Sequence, residues 1–271
     1  MIGSVGPFER IMARDTWVVA GAVTMIVLLA GLYTFSGVGM NMSALDMTKM
    51  AGPIGEPMAM GGLQPWTLSA ALLIFLMWWV MMIAMMTPSA TPTLLLYTAL
   101  KRYGSERASA TKLSLIFLAG YLLIWGGFSL LAAGLQWGTE TLGFVDGPMM
   151  TLASRPAAGV VLILAGLFQF SALKTACLKQ CSSPADFLTR HRRTGGAGAL
   201  LMGMHHGAYC FGCCWALMAL LFVGGIMNLY WIVGLALYVL AEKIIPKPRF
   251  FARLTGALLI GWGLCCIFTS V

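Results

Sequence analysis

The stretch 67–86 reads TLSAALLIFLMWWVMMIAMM and carries no charged side chain. A helix needs roughly 20 apolar residues, each rising about 1.5 Å, to cross the hydrocarbon core of a bilayer. Lipid offers the backbone no hydrogen-bond partners, so such a run has to be helical. Six further runs of this kind surround it: Trp17–Phe35, Leu113–Leu135, Ala157–Leu173, Ala197–Val223, Ile226–Ile245 and Phe251–Thr269. Gly and Pro punctuate the gaps, at Gly52-Pro53, Pro88, Pro92, Gly147-Pro148, Pro184, Gly224-Gly225, Pro246 and Pro248. Hydrophobic residues are 59% of the 271 and charged ones 10%, about half the charged share of a soluble domain. The expectation is an all-α polytopic membrane helix bundle of about seven transmembrane helices, a single integral membrane domain over residues 1–271.

Orientation follows from the cations. Arg10 and Arg14 precede the first run, Lys101, Arg102, Arg107 and Lys112 follow the second, Lys174, Lys179, Arg190, Arg192 and Arg193 follow the fourth, and Lys243, Lys247, Arg249 and Arg253 follow the sixth. Only Lys49 and Arg155 fall in the alternate loops. The positive-inside rule then puts the amino terminus in the cytoplasm and the carboxy terminus outside. The net charge of +8 reads as membrane orientation, and no basic stripe outside these loops supports a nucleic-acid partner. The first run lacks a small-residue cleavage pattern and is read as a span rather than a removable signal. The segment 36–66 is then an external loop.

The fifth run concentrates the chemistry: Met202-Gly-Met204-His205-His206-Gly-Ala-Tyr-Cys210-Phe-Gly-Cys213-Cys214-Trp215. At about 100° per residue, with His206 at zero, Met202 falls at about −40°, Cys213 at about −20°, Cys210 at about +40° and Cys214 at about +80°. One face carries all five, while His205 points about 100° away. Buried Cys is an ordinary small apolar residue and Gly207 and Gly212 suit close helix packing. Three Cys with an imidazole on one intramembrane stripe point instead to a metal or redox site.

Methionine supplies a second soft donor. In the second run Met77, Met81 and Met85 recur at helical spacing on one face, a pattern that core packing also produces. The external loop adds Met40, Met42, Met47, Met50, Met58 and Met60 in a polar, Gly-rich setting. Thiolate and thioether suit Cu(I), with imidazole acceptable, whereas Mg, Ca and Mn prefer oxygen. Zinc also accepts Cys and His, and the surrounding Met tilts the choice to Cu(I). Cys177 and Cys181, spaced to share a helical face near the inner end of the fourth run, are candidates for an inward relay. Cys265-Cys266 reads as packing, Glu242 and Lys243 as helix-end charges, and Asn228 as a candidate polar partner. A Gly-rich phosphate loop, a nucleophile elbow and a His-Glu-x-x-His pattern are all missing from the sequence.

The segment Met77–Pro88, the stretch from Lys174 through Cys177 and Cys181 to Pro184, the motif His206–Met218, and Met227-Asn228-Leu229 with Glu242-Lys243 resemble the bacterial DUF2182 family of metal-binding integral membrane proteins. The resemblance spans about Ala70 to Pro246 and implies a multi-pass protein of the bacterial inner membrane. The function expected is Cu(I) acquisition, transport or delivery. The ligand candidates are His206, Cys210, Cys213, Cys214, Met77, Met81, Met85 and Met202, with Met40, Met42, Met58, Met60, Cys177 and Cys181 as relay positions. The partners are the bilayer and a metal donor or acceptor protein. A membrane metalloenzyme or thiol redox enzyme, and an assembly factor for a metallo-complex, are the alternatives.

Overall fold

The computed structural model describes residues 7–37, 42–54, 66–146 and 151–269. Each of the seven apolar runs contains a helix. In chain order these are α1 (Pro7–Ser36), the short α2 (Ala44–Lys49), α3 (Leu68–Tyr103), α4 (Ala110–Thr141), α5 (Arg155–Phe168), α6 (Ala172–Ser182), α7 (Pro184–Arg190), α8 (Gly195–Met218), the single turn α9 (Leu221–Gly224), α10 (Leu229–Ile244) and α11 (Pro248–Phe268). A two-residue hairpin pairs Val145 with Leu152 and Asp146 with Thr151 between α4 and α5.

Among the described residues, five helical stretches are long and apolar enough to cross a membrane: Thr16–Ser36, Leu68–Tyr103, Arg107–Thr141, Gly195–Gly224 and Pro248–Phe268. Counting α5 and α6 as one bent span makes six. The remaining run from the sequence, Ile226–Ile245, forms a helix of 16 residues, about 24 Å long against a hydrocarbon core of about 30 Å. Its start is set by Asn228, whose Oδ1 accepts from the Tyr230 N–H at 3.0 Å and whose Nδ2 donates to Gly224 O at 3.0 Å. The fourth run is broken at 169–171 and turns by 64°. There the Ser171 hydroxyl accepts from the Lys174 N–H at 3.0 Å and starts a new helix.

The second run does not end at its prolines. Pro88 and Pro92 lie inside α3, which continues to Tyr103. Proline lacks the N–H that would bond the carbonyl four residues back, Ala84 for Pro88 and Pro88 for Pro92, yet the helix continues through both, and hydroxyls add bonds to the carbonyls in between. Ser89 Oγ donates to Met86 O at 2.8 Å, Thr91 Oγ1 to Thr87 O at 2.9 Å, and Tyr121 Oη of α4 to Met86 O at 2.9 Å.

Small residues set the helix packing. α4 and α8 run in close contact. A Cβ on Gly203 would stand 1.9 Å from Phe117 O and one on Gly120 2.2 Å from Leu200 O. Between α5 and α11 the glycines oppose each other, Gly159 against Gly263 and Gly166 against Gly256. α8 is the central helix: 67% of its most apolar window is buried, against 22–39% in the other four. Outward faces carry Leu28, Leu72, Leu130, Leu164, Leu237 and Leu258, all exposed, as a lipid-facing surface requires.

Candidate metal centre

α8 begins at Gly195, whose φ of +74° favours glycine and whose N–H donates to Glu106 Oε1 at 2.7 Å. Lys101 holds the same carboxylate and donates to Arg193 O at 2.8 Å. The Lys101 ammonium, then the Gly195 amide, lower the Glu106 carboxyl below its ordinary value. This latch fixes the helix that carries His206, Cys210, Cys213 and Cys214, all buried.

The imidazole of His206 is 1% exposed and neither ring nitrogen has a hydrogen-bond partner. It is surrounded by the rings of Phe117, Tyr121 and Phe187, at centroid distances of 6.0, 5.7 and 5.1 Å. A neutral imidazole has one N–H and one lone pair to satisfy. Leaving a buried donor or acceptor unpaired costs about 1–3 kcal/mol.

One turn on, the Cys210 sulfur receives the ammonium of Lys243 at 3.1 Å and lies 3.2 Å from Tyr121 Oη. Lys243 Nζ also donates to Ser89 Oγ at 2.7 Å. The neighbouring Glu242 is already paired with Lys174 at 2.7 Å, both side chains essentially unexposed, so the partners of the buried Lys243 ammonium are the Cys210 sulfur and the Ser89 hydroxyl. Cys213 Sγ and Cys214 Sγ turn back onto Cys210 O at 3.1 and 2.8 Å. Cys214 Sγ also lies 4.0 Å from Met86 Sδ. Met86 of α3 thus reaches α8, while Met77, Met81 and Met85 are buried on the same helix.

α6 packs on α8, because the bend at 169–171 folds it back. A Cβ at Gly212 would lie 2.7 Å from Cys177 Sγ, so glycine lets that thiol reach α8. Cys181 is turned toward Cys210 and Cys213. The pair expected to lie apart as a relay therefore joins the α8 thiols in one sulfur-rich cluster. Met202 is buried one turn before His206 on α8. Met42 is half-buried against the core and Met47 is buried, while Met40, Met58 and Met60 lie outside the described residues. The described cysteines are all free thiols.

No three His, Cys, Asp or Glu side chains among the described residues converge as a ready metal cage. Cys213 and Cys214 both spend their thiols on the Cys210 carbonyl. An unpartnered imidazole and a group of thiols around one buried turn fit a soft monovalent ion as cargo.

Fold and side chains together define a class: an apolar helical bundle with a buried imidazole and several thiols on its central helix. Residues 75–266 match the sequence model of the PpoB2 family, described as a copper chaperone, and the chain belongs to that family. A search of the curated proteins and one of the solved structures found no match. Copper as the metal and an apolar, membrane-compatible helical fold are the parts of the sequence reading that these findings support.

Sequence reasoning read Lys243 as a helix-end charge and gave no role at the site to Ser89, Tyr121 or Met86. For Lys243 a signal was present, since an ionisable residue inside an apolar run needs a partner. For Tyr121 and Met86 there was none, because their roles follow from how α4 sits between α3 and α8.

Proposed function

We propose that this chain is a multi-pass protein of the bacterial inner membrane that binds Cu(I) in the membrane interior and delivers it to an acceptor protein. The seven spans are α1, α3, α4, the bent α5–α6 pair, α8, the short α10 and α11, with the amino terminus cytoplasmic. His206, Cys210, Cys213 and Cys214 hold the ion, helped by Cys181 and the Met86 thioether, with Met77, Met81, Met85 and Met202 as the surrounding soft reserve. The carrying observation is His206, buried with both nitrogens unpartnered one turn from the Cys210 thiol. The copper chaperone family of residues 75–266 supports the choice of metal.

The Lys243 ammonium lies on the Cys210 sulfur. Cu(I) takes that sulfur, and Lys243 keeps Ser89 as its hydrogen-bond partner. The thiols of Cys213 and Cys214 leave the Cys210 carbonyl and bind the ion as thiolates, so that uptake releases thiol protons to water. Zinc gains little from thioether, so Met86 favours Cu(I). On the outer side the methionines of the 36–66 segment collect copper, and Thr48 Oγ1, accepting from the Leu229 N–H at 2.9 Å, ties that segment to the start of α10. Cu(I) titration of the reduced, detergent-purified chain against a competing chelator tests the reading. We expect about one ion per wild-type chain, lost in Cys210→Ser and Cys213→Ser with helicity unchanged. Wild-type stoichiometry in both variants would overturn it.

A further inference from the structure

Beside the buried centre lies a second imidazole group that the function above does not use. His191, at the end of α7, and His205, on α8, place their rings 5.6 Å apart at 71°. Both are half-buried, unlike His206. His191 Nδ1 lies 3.1 Å from Phe187 O. With the proton on that nitrogen, Nε2 presents a lone pair, which is how metal-binding histidines are usually oriented by their surroundings. His205 Nδ1 is buried without a hydrogen-bond partner. Capping of α7 explains His191 alone and leaves that nitrogen unaccounted for.

The ring of Phe187 touches both His191 and the centre. It is fully buried, stacks on His191 at 4.8 Å and 27°, and its centroid lies 5.1 Å from that of His206. Arg192 and Arg193 follow His191 directly. Their charge weakens retention of any cation there, which suits a site of passage rather than of storage.

We propose that His191 and His205 form a transient two-nitrogen Cu(I) site through which copper enters or leaves the buried centre, with the Phe187 ring as the barrier between them. This rests on the buried-site reading. The ion moves without a change of oxidation state, between the two neutral imidazole nitrogens and the imidazole and cysteine sulfur donors of the centre, and the cysteine sulfurs release protons when it arrives and take them back when it leaves.

The test loads the full-length chain in detergent with Cu(I), without oxygen, and follows transfer to a water-soluble Cu(I) chelator. His205→Ala removes a nitrogen with no hydrogen bond to lose, and His191→Gln retains a donor toward Phe187 O. Each is expected to keep wild-type copper content at equilibrium and to slow transfer by about tenfold. Phe187→Ala is expected to speed it. Normal loading with wild-type transfer rates in both histidine variants would overturn this inference alone. Failure of the wild-type chain to load would overturn the buried site and this inference with it.

Discussion

A single side chain, His206, separates a packing account of α8 from a binding one. Packing would favour a ring without polar nitrogens between Phe117, Tyr121 and Phe187. His206→Phe should therefore raise the thermal midpoint of the copper-free chain, by relieving about 1–3 kcal/mol of unpaired polar burial. The same variant should lose copper affinity. A midpoint lowered in the copper-free state, with binding intact, would show that the imidazole serves the fold. His206 and the three cysteines were legible in the sequence because a regular helix converts spacing into a shared face. Lys243 was read as a helix-end charge because the position of a Lys in a run does not reveal whether its stem leads to lipid headgroups or inward. Its ammonium reaches Ser89 and Cys210 because α10 is short and docks against the proline-containing turn of α3.

Among the elements, the α4–α8 contact has the least tolerance. Gly203→Ala would place a methyl group 1.9 Å from Phe117 O, where only backbone can give way. Overpacking of this kind costs about 1–3 kcal/mol, and the thermal midpoint of the variant should fall accordingly. Substitution at Gly234, where a Cβ meets nothing within 4 Å, should leave it unchanged. At the start of α8, Glu106 adds a pH dependence. Its carboxyl is lowered by Lys101 and the Gly195 amide. Its contribution is therefore fully present above the unfolded glutamate value of about 4.3 and is lost as pH falls through the lower, folded value. Thermal midpoints measured on acidification should show that loss in the wild-type chain and a flatter profile in Glu106→Gln. The apolar runs each contain a helix, although among the described residues five helical stretches, or six with the bent α5–α6 pair, are long enough to cross a membrane. The break at 169–171 was not visible in the sequence, because one polar turn, Gln169 to Ser171, is too short to interrupt a hydropathy pattern. Continuation of α3 through Pro88 and Pro92 was hidden because proline in a sequence reads as a helix end, whereas an apolar helix packed among its neighbours can run on through it.

For the whole molecule, the distribution of Lys and Arg argues orientation where helix lengths alone cannot. A reporter fused after Val271 should behave as external and one inserted at Gly195 as cytoplasmic, and the reverse pair of signals would invert the proposed topology. The composition made a helical, apolar bundle legible at once, since 59% hydrophobic residues leave too little polar surface for water. Assembly of the sulfur cluster was less legible. It depends on the 64° turn that brings Cys177 and Cys181 onto α8 and on the side-by-side packing of α4 and α8, and neither is written in the local pattern of any one helix. The central claim is that these packed elements make one soft-donor site for copper. X-ray absorption at the copper edge of the Cu(I)-loaded, reduced protein tests it most directly. The account predicts a sulfur-dominated shell with an imidazole nitrogen that disappears in His206→Phe. A shell of oxygen and nitrogen only, or a spectrum identical in wild type, His206→Phe and Cys210→Ser, would contradict it.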